Sequence, residues 1–398
     1  MRPSLYSIKL WKKGLFRYMT KLLVEASVLE QDRPSGVNYL TDGLVTELEK
    51  QQNDTFSVGY FWLNFLGRKA LRNKNTIAAA MRGNLQQIQT IPQRLYAKLV
   101  YYQVAPPLPV RKADWLLYPN FYLWPTFGRS KKAVIIHDLC YLRYPEYVED
   151  KNRAFLARVA TSSIKKADLV LVDSEFIADE VIELTDTPRE KVHILGVPVD
   201  VDEFDPAKDL GRNRLAKRYG ITKPYILTFG TLEPRKNLTT LVEAYCALAP
   251  EIRNTYSLVL AGKWGWKIDN LRKLVEQKQA EGYDIIATGY VDHDDRTTFY
   301  RNASFYAITT HYEGFGMPLL EALHCGIPTV AVDIPVLREV GDNACLWSKK
   351  TTKDVTSKLT QLITDKALSA KLSALGPTQS ANFSWEKTAK ELIERLHA

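Results

Sequence analysis

Short apolar segments alternate with helical stretches along this chain, in two successive series. Strands that alternate with helices predict parallel βαβ units, with helices covering both faces of the sheet. Because the pattern restarts after residue 223, we expect two doubly wound, Rossmann-like α/β domains with a cleft between them. The predicted strands are 21–27, 56–62, 114–120, 132–138, 168–174 and 191–197 in the first series, and 225–230, 256–262, 283–289, 304–310 and 327–333 in the second.

The length of 398 residues fits two domains of about 100–200 residues each. The polar, charged stretch 202–223 is typical of a linker, so we place a domain boundary at residue 215. The first domain is then 19–215 and the second 216–383. In such sheets ligands bind at the carboxyl ends of the strands, which directs the search for a site to the turns that follow them.

The N-terminal segment carries six basic residues and no acidic residue within residues 1–24. On a helical wheel its apolar side chains fall on one side and most of its basic side chains on the other, which predicts a basic amphipathic segment at 1–18 that contacts an anionic membrane surface. Two alternatives are that this helix packs on the protein and that the chain starts physiologically at Met19. The sequence shows no signal peptide and no apolar run of about 18 residues, so we expect a cytoplasmic protein, peripheral at the inner face of the cell membrane.

A basic pair follows the strand 225–230 directly after Gly230 and a short turn. Arg235 offers a forked guanidinium and Lys236 a point charge, and both suit a diphosphate. A GxGxxG nicotinamide motif is absent from this turn, which weakens a dehydrogenase interpretation. The overall charge of +9, from 54 basic and 45 acidic residues, agrees with an anionic ligand without identifying it.

The segment 311–333 carries the most specific pattern. Glu313 follows a predicted strand, Gly314 and Gly316 permit close approach of the backbone to a ligand, and Pro318 suits the first turn of a helix. The backbone amides from Gly316 to Leu319 would then form an anion site. Glu321 lies eight positions after Glu313, so one carboxylate would hold a sugar ring and the other a ribose, with a phosphate between them.

These segments together resemble a known family. GTLEPRKN (230–237), EGFGMPLLEA (313–322), SEF (174–176) and FSWEKTAKEL (383–392) are similar to segments of the retaining nucleotide-sugar glycosyltransferases of family 4, which have the GT-B fold. The resemblance covers about residues 19–398, and the E-x7-E segment is its most specific part. It implies an acceptor-side first domain, a donor-binding second domain, and a last helix at 384–398 that crosses back onto the first domain.

The resemblance also implies roles for single residues. Arg235 and Lys236 would stabilise the donor diphosphate, and Glu313 would bind the donor sugar at the reacting centre. His137 would contact the transferred sugar, and Glu321 would bind the ribose hydroxyls. The other implied donor-binding residues line the sugar, the phosphates or the base: Gly36, Gly230, Tyr290, Val291, Gly314, Phe315, Gly316, Met317, Pro318 and Leu319.

We therefore expect a retaining transferase that moves a hexose, with mannose favoured, from a nucleotide sugar to a polysaccharide or lipid-linked oligosaccharide. No carboxylate is clearly placed as a covalent nucleophile, which favours attack on the same face, guided by the leaving phosphate. No metal-ligand spacing is evident, so we expect no metal and no other cofactor. The alternatives are transfer to a small soluble acceptor and a non-catalytic protein that binds nucleotide sugars or nucleic acid. Nucleic-acid binding is disfavoured, because no recognised module is present.

Overall fold

The first half of the chain forms a parallel sheet. A computed structural model describes residues 19–31 and 36–398, so the predicted segment 1–18 lies outside the described residues. The strand order is β3-β2-β1-β4-β5-β6-β7, with every neighbouring pair parallel. The strands are β1 (Thr20–Glu25), β2 (Phe56–Leu63), β3 (Leu85–Ile88), β4 (Trp115–Tyr118), β5 (Lys131–Ile136), β6 (Leu169–Val172) and β7 (Val192–Ile194).

The second half repeats this design with the order β10-β9-β8-β11-β12-β13, again parallel throughout. Each sheet therefore has one point where the direction of winding reverses, between β1 and β4 in the first sheet and between β8 and β11 in the second. Ligands bind at such points in doubly wound sheets. The strands are β8 (Tyr225–Phe229), β9 (Ser257–Ala261), β10 (Ile285–Gly289), β11 (Phe305–Ile308), β12 (Thr329–Val332) and β13 (Cys345–Ser348).

Helices connect the strands and cover the faces of both sheets. In the first half they are α1 (Gly36–Lys50), α2 (Lys74–Met81), α3 (Gln93–Tyr101), α4 (Cys140–Arg143), α5 (Asp150–Lys166) and α6 (Glu175–Thr185). After these come α7 (Arg212–Tyr219), α8 (Leu238–Cys246), α9 (Pro250–Thr255), α10 (Asp269–Ala280), α11 (His293–Arg301), α12 (Met317–His324), α13 (Pro335–Gly341), α14 (Thr352–Thr364), α15 (Lys366–Ser380) and α16 (Trp385–His397).

The central strands are apolar on both faces, as a sheet covered on both sides requires. All residues of β4 and β6 are buried, and so are Ala133–Ile136 of β5. The same holds for β9, β11 and β12 in the second sheet. The predicted fold class, two doubly wound α/β domains with a cleft between them, is confirmed.

Two features of the chain differ from the sequence-based expectations. The strands β3 and β13 were not predicted, and each lies at an edge of its sheet. The stretch 202–223, predicted as a linker, contains the helix α7, in which Arg214 and Arg218 both contact Asp295 of α11 at 2.8 and 2.7 Å. The boundary placed at residue 215 thus falls inside a helix that is attached to the second half.

Candidate active site

An open cleft lies between the two sheets, at the carboxyl ends of their strands. Its empty volume, including space open to solvent, is about 1500 Å³. It brings together thirteen of the fifteen predicted site residues from segments that are far apart in the sequence. These are Gly36, His137, Gly230, Arg235, Lys236, Tyr290, Val291, Glu313, Gly314, Phe315, Gly316, Met317 and Pro318. Leu319 and Glu321 do not line this cleft.

A buried ion cluster stands at the winding reversal of the second sheet. The guanidinium Nη1 of Arg235 donates to Oε2 of Glu313 at 2.5 Å, and Nζ of Lys236 donates to Oε1 of the same carboxylate. The Nε of Arg235 also contacts Oε1 of Glu233 at 2.7 Å. Both oxygens of Glu313 are therefore engaged by cations.

The environment holds Glu313 in its charged form. Burial alone would raise the pKa of the Glu313 carboxyl, but the positive charges of Arg235 and Lys236 outweigh burial and lower this pKa to about 2. Burial opposes charge on Arg235 as well, yet the carboxylates of Glu313 and Glu233 raise the Arg235 pKa further above its ordinary value. Glu313 and Arg235 are consequently both charged at neutral pH.

Short hydrogen bonds fix the loop that carries Glu313 against the loop that carries the cations. The backbone amide of His311 donates to the carbonyl oxygen of Arg235 at 2.7 Å, and the hydroxyl of Thr310 donates to the same oxygen at 2.8 Å. The side-chain Nδ2 of Asn237 donates to the carbonyl oxygen of Thr309 at 3.1 Å. The relative position of the two charged loops is therefore set by these three hydrogen bonds as well as by the ion pairs.

Gly314 lies where the two halves of the molecule touch. A β-carbon at this position would stand 1.8 Å from the carbonyl oxygen of His137, so only glycine fits. The hydroxyl of Ser174 donates to the carbonyl oxygen of Gly314 at 2.7 Å and also caps α6. Ser174 therefore both caps a helix of the first half and contacts the second half across the cleft, and the second contact has no signal in the sequence.

His137 follows β5 and is buried, with 8 % of its surface exposed. Its Nδ1 lies 2.9 Å from Oδ2 of Asp173, and its Nε2 lies 2.8 Å from the carbonyl oxygen of Pro119. Burial opposes protonation, but the neighbouring Asp173 outweighs it and raises the pKa of His137. Both partners are hydrogen-bond acceptors, so this environment favours the protonated imidazole, in which each ring nitrogen donates.

The first turn of α12 faces the cleft only in part. Gly316 adopts a φ of 101° and Pro318 stands in the first turn, as predicted. However, the amide of Leu319 donates to the carbonyl oxygen of Gly316 at 2.9 Å, and its side chain is fully buried. The anion site predicted for the amides from Gly316 to Leu319 therefore does not extend to Leu319.

Glu321 is buried beside the cleft and is paired within the protein. The Nη2 of Arg296 donates to Oε1 of Glu321, while Nη1 of Arg296 lies 3.1 Å from Oε1 of Glu203. Oε2 of Glu321 has no hydrogen-bond partner among the described residues. Burial raises the pKa of Glu321 in spite of Arg296. Glu321 lines a separate small cavity beside the cleft, together with Glu203 and Arg296.

The cleft also contains residues that the sequence patterns did not single out. Arg296 lies under the ring of Tyr39 at 4.7 Å, and Tyr39 stacks on His293 at 5.5 Å between ring centroids. Lys263 and Glu233 line the cleft as well. Of these residues, only Lys263 could have been predicted from the sequence. It directly follows a glycine at the end of a predicted strand, and Arg235 and Lys236 lie a few residues after such a glycine.

Within the described part of the chain, no group of three or more histidine, cysteine, aspartate or glutamate side chains is arranged to hold a metal ion. No helix in the same part of the chain is long and apolar enough to cross a membrane.

Comparison with known proteins identifies the family. The model of the family described as glycosyl transferases group 1 matches residues 212–378. O-antigen chain mannosyltransferase B of Escherichia coli is 32% identical over 279 residues, which cover 69% of this chain and 72% of that protein. This chain is a group 1 glycosyltransferase. The serotype-specific mannosyltransferase WbdA of Escherichia coli is 31% identical over 270 residues, and this match spans 33% of its length.

Solved structures of glycosyltransferases share the fold of this enzyme. Anabaena HepE, crystallised with UDP and glucose, matches with a TM-score of 0.65 at 16% identity, over 95% of this chain and 99% of that one. WaaG, a glycosyltransferase involved in lipopolysaccharide biosynthesis, matches with a TM-score of 0.66 at 12% identity, over 94% and 99% of the two chains. The predicted GT-B arrangement is thereby confirmed.

Proposed function

We propose that this glycosyltransferase is a retaining enzyme of family 4, which transfers mannose from a nucleotide sugar to a growing polysaccharide or a lipid-linked oligosaccharide. The observation that carries the proposal is the Glu313 carboxylate, clamped between Arg235 and Lys236 where the second sheet reverses its winding. The mannosyltransferase names of the O-antigen relatives support the sugar and the acceptor class.

Arg235 and Lys236 are proposed to receive the donor diphosphate. Their side chains are only 20% and 12% exposed, so their charges act in a medium of low dielectric constant and need no reorganisation when negative charge develops on the leaving nucleotide. Lys263 lines the same cleft and adds a third cation. This electrostatic stabilisation supports a metal-independent reaction in which the nucleotide sugar is a co-substrate and no cofactor takes part.

The contacts of Arg235 and Lys236 with Glu313 also favour one stereochemical course of the reaction. A carboxylate whose two oxygens are both bonded to cations, with a pKa lowered to about 2, is a poor covalent nucleophile. We therefore assign Glu313 to the donor sugar hydroxyls and favour attack on the same face of the sugar, guided by the leaving phosphate. The imidazolium of His137 supplies further positive charge beside the reacting centre.

Glu321 is proposed to bind the ribose hydroxyls of the nucleotide, with Arg296 as its partner. Oε2 of Glu321 makes no hydrogen bond of good geometry among the described residues, although the hydroxyl of Tyr300 is near enough to lower the pKa of this carboxyl, so Oε2 retains the capacity to accept from a ribose hydroxyl. Tyr290 is 43% exposed at the same end of the cleft, and Val291 is adjacent to it, so both are proposed to border the base.

The proposed setting is the cytoplasmic face of the membrane, with residues 1–24 contacting anionic lipid. Glycosylation of a small soluble acceptor is the competing function, and non-catalytic binding of nucleotide sugars or nucleic acid is a second alternative. Liposome co-sedimentation of the full chain against a chain starting at Met19 separates the membrane proposal from its alternatives. Equal partitioning of the two chains would refute membrane contact.

A donor panel tests the catalytic proposal. Nucleotide release from a set of nucleotide sugars, each with a mannose oligosaccharide as acceptor, should be fastest with a mannose donor. The anomeric proton of the product, measured by NMR, should show the configuration of the donor sugar, and an inverted product would contradict retention. Lys236→Ala should lower kcat by a factor of about 10²–10³, because it removes stabilisation of the leaving group.

A further inference from the structure

The short segment after β6 contacts both walls of the main cleft. Asp173 and Ser174 are the two residues that directly follow this strand. The hydroxyl of Ser174 donates to the carbonyl oxygen of Gly314 in the second half at 2.7 Å, whereas Oδ2 of Asp173 lies 2.9 Å from Nδ1 of His137 in the first half. Asp173 and His137 both line the cleft. The segment therefore joins His137 to the loop that carries Glu313.

The Asp173 carboxylate depends on His137 for a cationic partner. Its side chain is only 7% exposed, and its Oδ1 is buried without a hydrogen-bond partner among the described residues. In that part of the chain, no side chain other than His137 forms an ion pair with it. A buried carboxylate that lacks a cationic partner is strongly destabilising, so Asp173 favours the protonated form of His137. Because Oδ1 is enclosed, Asp173 acts through His137 and not on a substrate.

The second partner of His137 imposes the same condition. Its Nε2 lies 2.8 Å from the carbonyl oxygen of Pro119, and a carbonyl oxygen can only accept. A neutral imidazole has one donor and one lone pair, so it would turn the lone pair toward one of its two acceptors. The protonated ring donates to both. In this form both ring nitrogens are engaged within the first half, and His137 offers the cleft a positive charge and not a free nitrogen.

Two carboxylates act on the charge of His137. Burial lowers the pKa of His137, but Asp173 raises it through its charge and its hydrogen bond. The carbonyl of Pro119 and the charge of Asp138, the next residue in the chain, raise this pKa further, and the net shift is upward. Asp173 is the larger of the two carboxylate contributions, so it is the residue whose removal should change the charge of His137.

The other elements that pack against His137 leave this balance in place. The ring of Phe121, which follows β4, meets the imidazole edge to face at 5.3 Å between centroids. From the second half, the backbone of Gly314 approaches the carbonyl oxygen of His137, and the charge of Arg235 interacts with Asp138. Among the described residues, Asp173 is thus the one carboxylate that is bonded directly to the imidazole.

We propose that Asp173 is a positioning residue of the transfer reaction, which holds His137 as a fixed cation at the wall of the cleft that receives the donor. The proposal rests on the proposed transfer from a nucleotide sugar. A cation that is already in place stabilises the negative charge that develops on the leaving phosphate, without reorganisation. Donation of both ring protons, to Asp173 and to Pro119, fixes the orientation of the ring as well as its charge.

The test follows the pH dependence of kcat in the full chain with Asp173→Asn. An amide can donate as well as accept, so the variant accommodates neutral His137, and the pKa of His137 should fall. In the wild type we expect kcat to decrease as the pH rises through the pKa of His137. In the variant this decrease should begin about 1–3 pH units lower. The loss relative to the wild type should therefore grow from pH 6 to pH 8, where it should reach about tenfold.

Asp168→Asn is the matched control. Asp168 directly precedes β6 as Asp173 follows it, and its Oδ2 likewise bonds to β5, through the backbone amide of Lys132 at 2.8 Å. The same substitution there should leave the pH profile unchanged. His137→Gln should lose the decrease at high pH altogether. A loss of kcat in Asp173→Asn that is constant over the pH range would mean a purely structural role and would refute the proposal.

A measurement without substrate separates this proposal from the proposed function. NMR titration of isotope-labelled histidine, with His137 assigned through His137→Gln, should give a pKa above the ordinary 6.5 in the wild type and a lower one in Asp173→Asn. If both results are found but no nucleotide sugar supports transfer, the proposed function fails while Asp173 still sets the charge of His137. A wild-type value at or below 6.5 refutes the proposal even where transfer proceeds, and it does so whether or not Asp173→Asn folds. An equal pKa in the two proteins refutes it as well.

Discussion

Glu313 accepts hydrogen bonds from two cations. Its substitution is therefore expected to affect donor binding and turnover differently. In Glu313→Gln, Arg235 and Lys236 lose the charge that neutralises them and become more available to the donor diphosphate. We expect kcat to fall by about 10²–10³, while the donor dissociation constant stays equal or decreases. Calorimetric titration of the donor product nucleotide, alongside initial rates, measures both quantities.

Glu233→Gln is the matched control for this change, because the Glu233 carboxylate pairs with Arg235, whereas the Glu313 carboxylate pairs with both Arg235 and Lys236. Its effect on kcat should be markedly smaller than that of Glu313→Gln. Equal losses in the two variants would show that Glu313 acts only by organising Arg235 and has no contact of its own with the sugar.

The buried carboxyl of Glu25 is expected to make the free energy of unfolding depend on pH, with or without a bound substrate. Burial raises the pKa of Glu25 from 4.5 to about 7, even though Ser27 donates to it. Because the folded-state value is the higher one, the stabilisation is complete below pH 4.5 and is lost as the pH rises through about 7. The loss at pH 8 corresponds to about 3 kcal/mol. Glu25→Gln cannot ionise and should therefore be more stable than the wild type at pH 8.

Urea unfolding followed by tryptophan fluorescence at pH 5 and pH 8 checks this prediction. The stability difference between Glu25→Gln and the wild type should grow with pH, whereas Glu276→Gln, at an exposed position of α10, should show no such trend. A difference that shrinks with rising pH would mean that the Glu25 carboxylate is stabilised in its charged form.

Among the secondary-structure elements, the central strands were predicted better from the sequence than the edge strands were. The strands β4, β6 and β11 are continuous apolar runs because both of their faces are covered, and such runs are readily recognised. The edge strand β3 reads LQQI, with two polar residues in the middle, and β13 reads CLWS, which ends on a polar residue. Neither has an apolar period that distinguishes it from a loop.

Some residues of the candidate site could likewise be predicted from the sequence, and others could not. Arg235, Lys236 and Glu313 come from turns that directly follow strands, so topology alone brings them together. The pairing of Glu321 with Arg296 was not predictable, since Arg296 lies within the helix α11 and nothing local marks it as a partner. The contact of Ser174 with Gly314 joins the two halves, and long-range contacts of this kind have no local signature in the sequence.

The next prediction concerns Gly314, which lies in the loop between β11 and α12. In Gly314→Ala the added carbon would overlap the carbonyl oxygen of His137, at 1.8 Å, and the loop would have to move away from the first half. We expect turnover to fall by about 10²-fold, because displacements of about 1 Å at a reacting centre have effects of this size. Initial rates and the melting temperature should be compared with those of Gly282→Ala, where a β-carbon meets no atom within 4 Å.

Gly282 has a φ of 90°, so its alanine variant introduces backbone strain without steric overlap. It should lower the melting temperature and leave turnover intact. Comparable turnover in the two variants would show that the contact between Gly314 and His137 does not position Glu313.

At the scale of the whole molecule, the chain leaves the second half and ends on the first. The last helix, α16, packs on α1, and near its end the carbonyl oxygen of Leu396 accepts a hydrogen bond from Nε1 of Trp115 at 2.9 Å. At its start, Trp385 lies over Gly43 so closely that a β-carbon there would stand 2.3 Å from the indole ring. A substitution at Gly43 therefore tests whether α16 holds the two halves together.

Glycine in a helix interior is ordinarily less stable than alanine by about 1 kcal/mol, so Gly43→Ala would stabilise an unobstructed helix. Here we expect the opposite, a loss of at least about 1 kcal/mol, because Trp385 must leave its place on α1. In the Trp385→Leu background the obstacle is gone, and the same substitution should become neutral or stabilising. This reversal of sign, measured by urea unfolding of the four proteins, isolates the contact. Faster trypsin cleavage at Lys387 in Gly43→Ala alone would show that α16 detaches, whereas a stabilising effect in both backgrounds would mean that α16 accommodates the change without losing its hold on the first half.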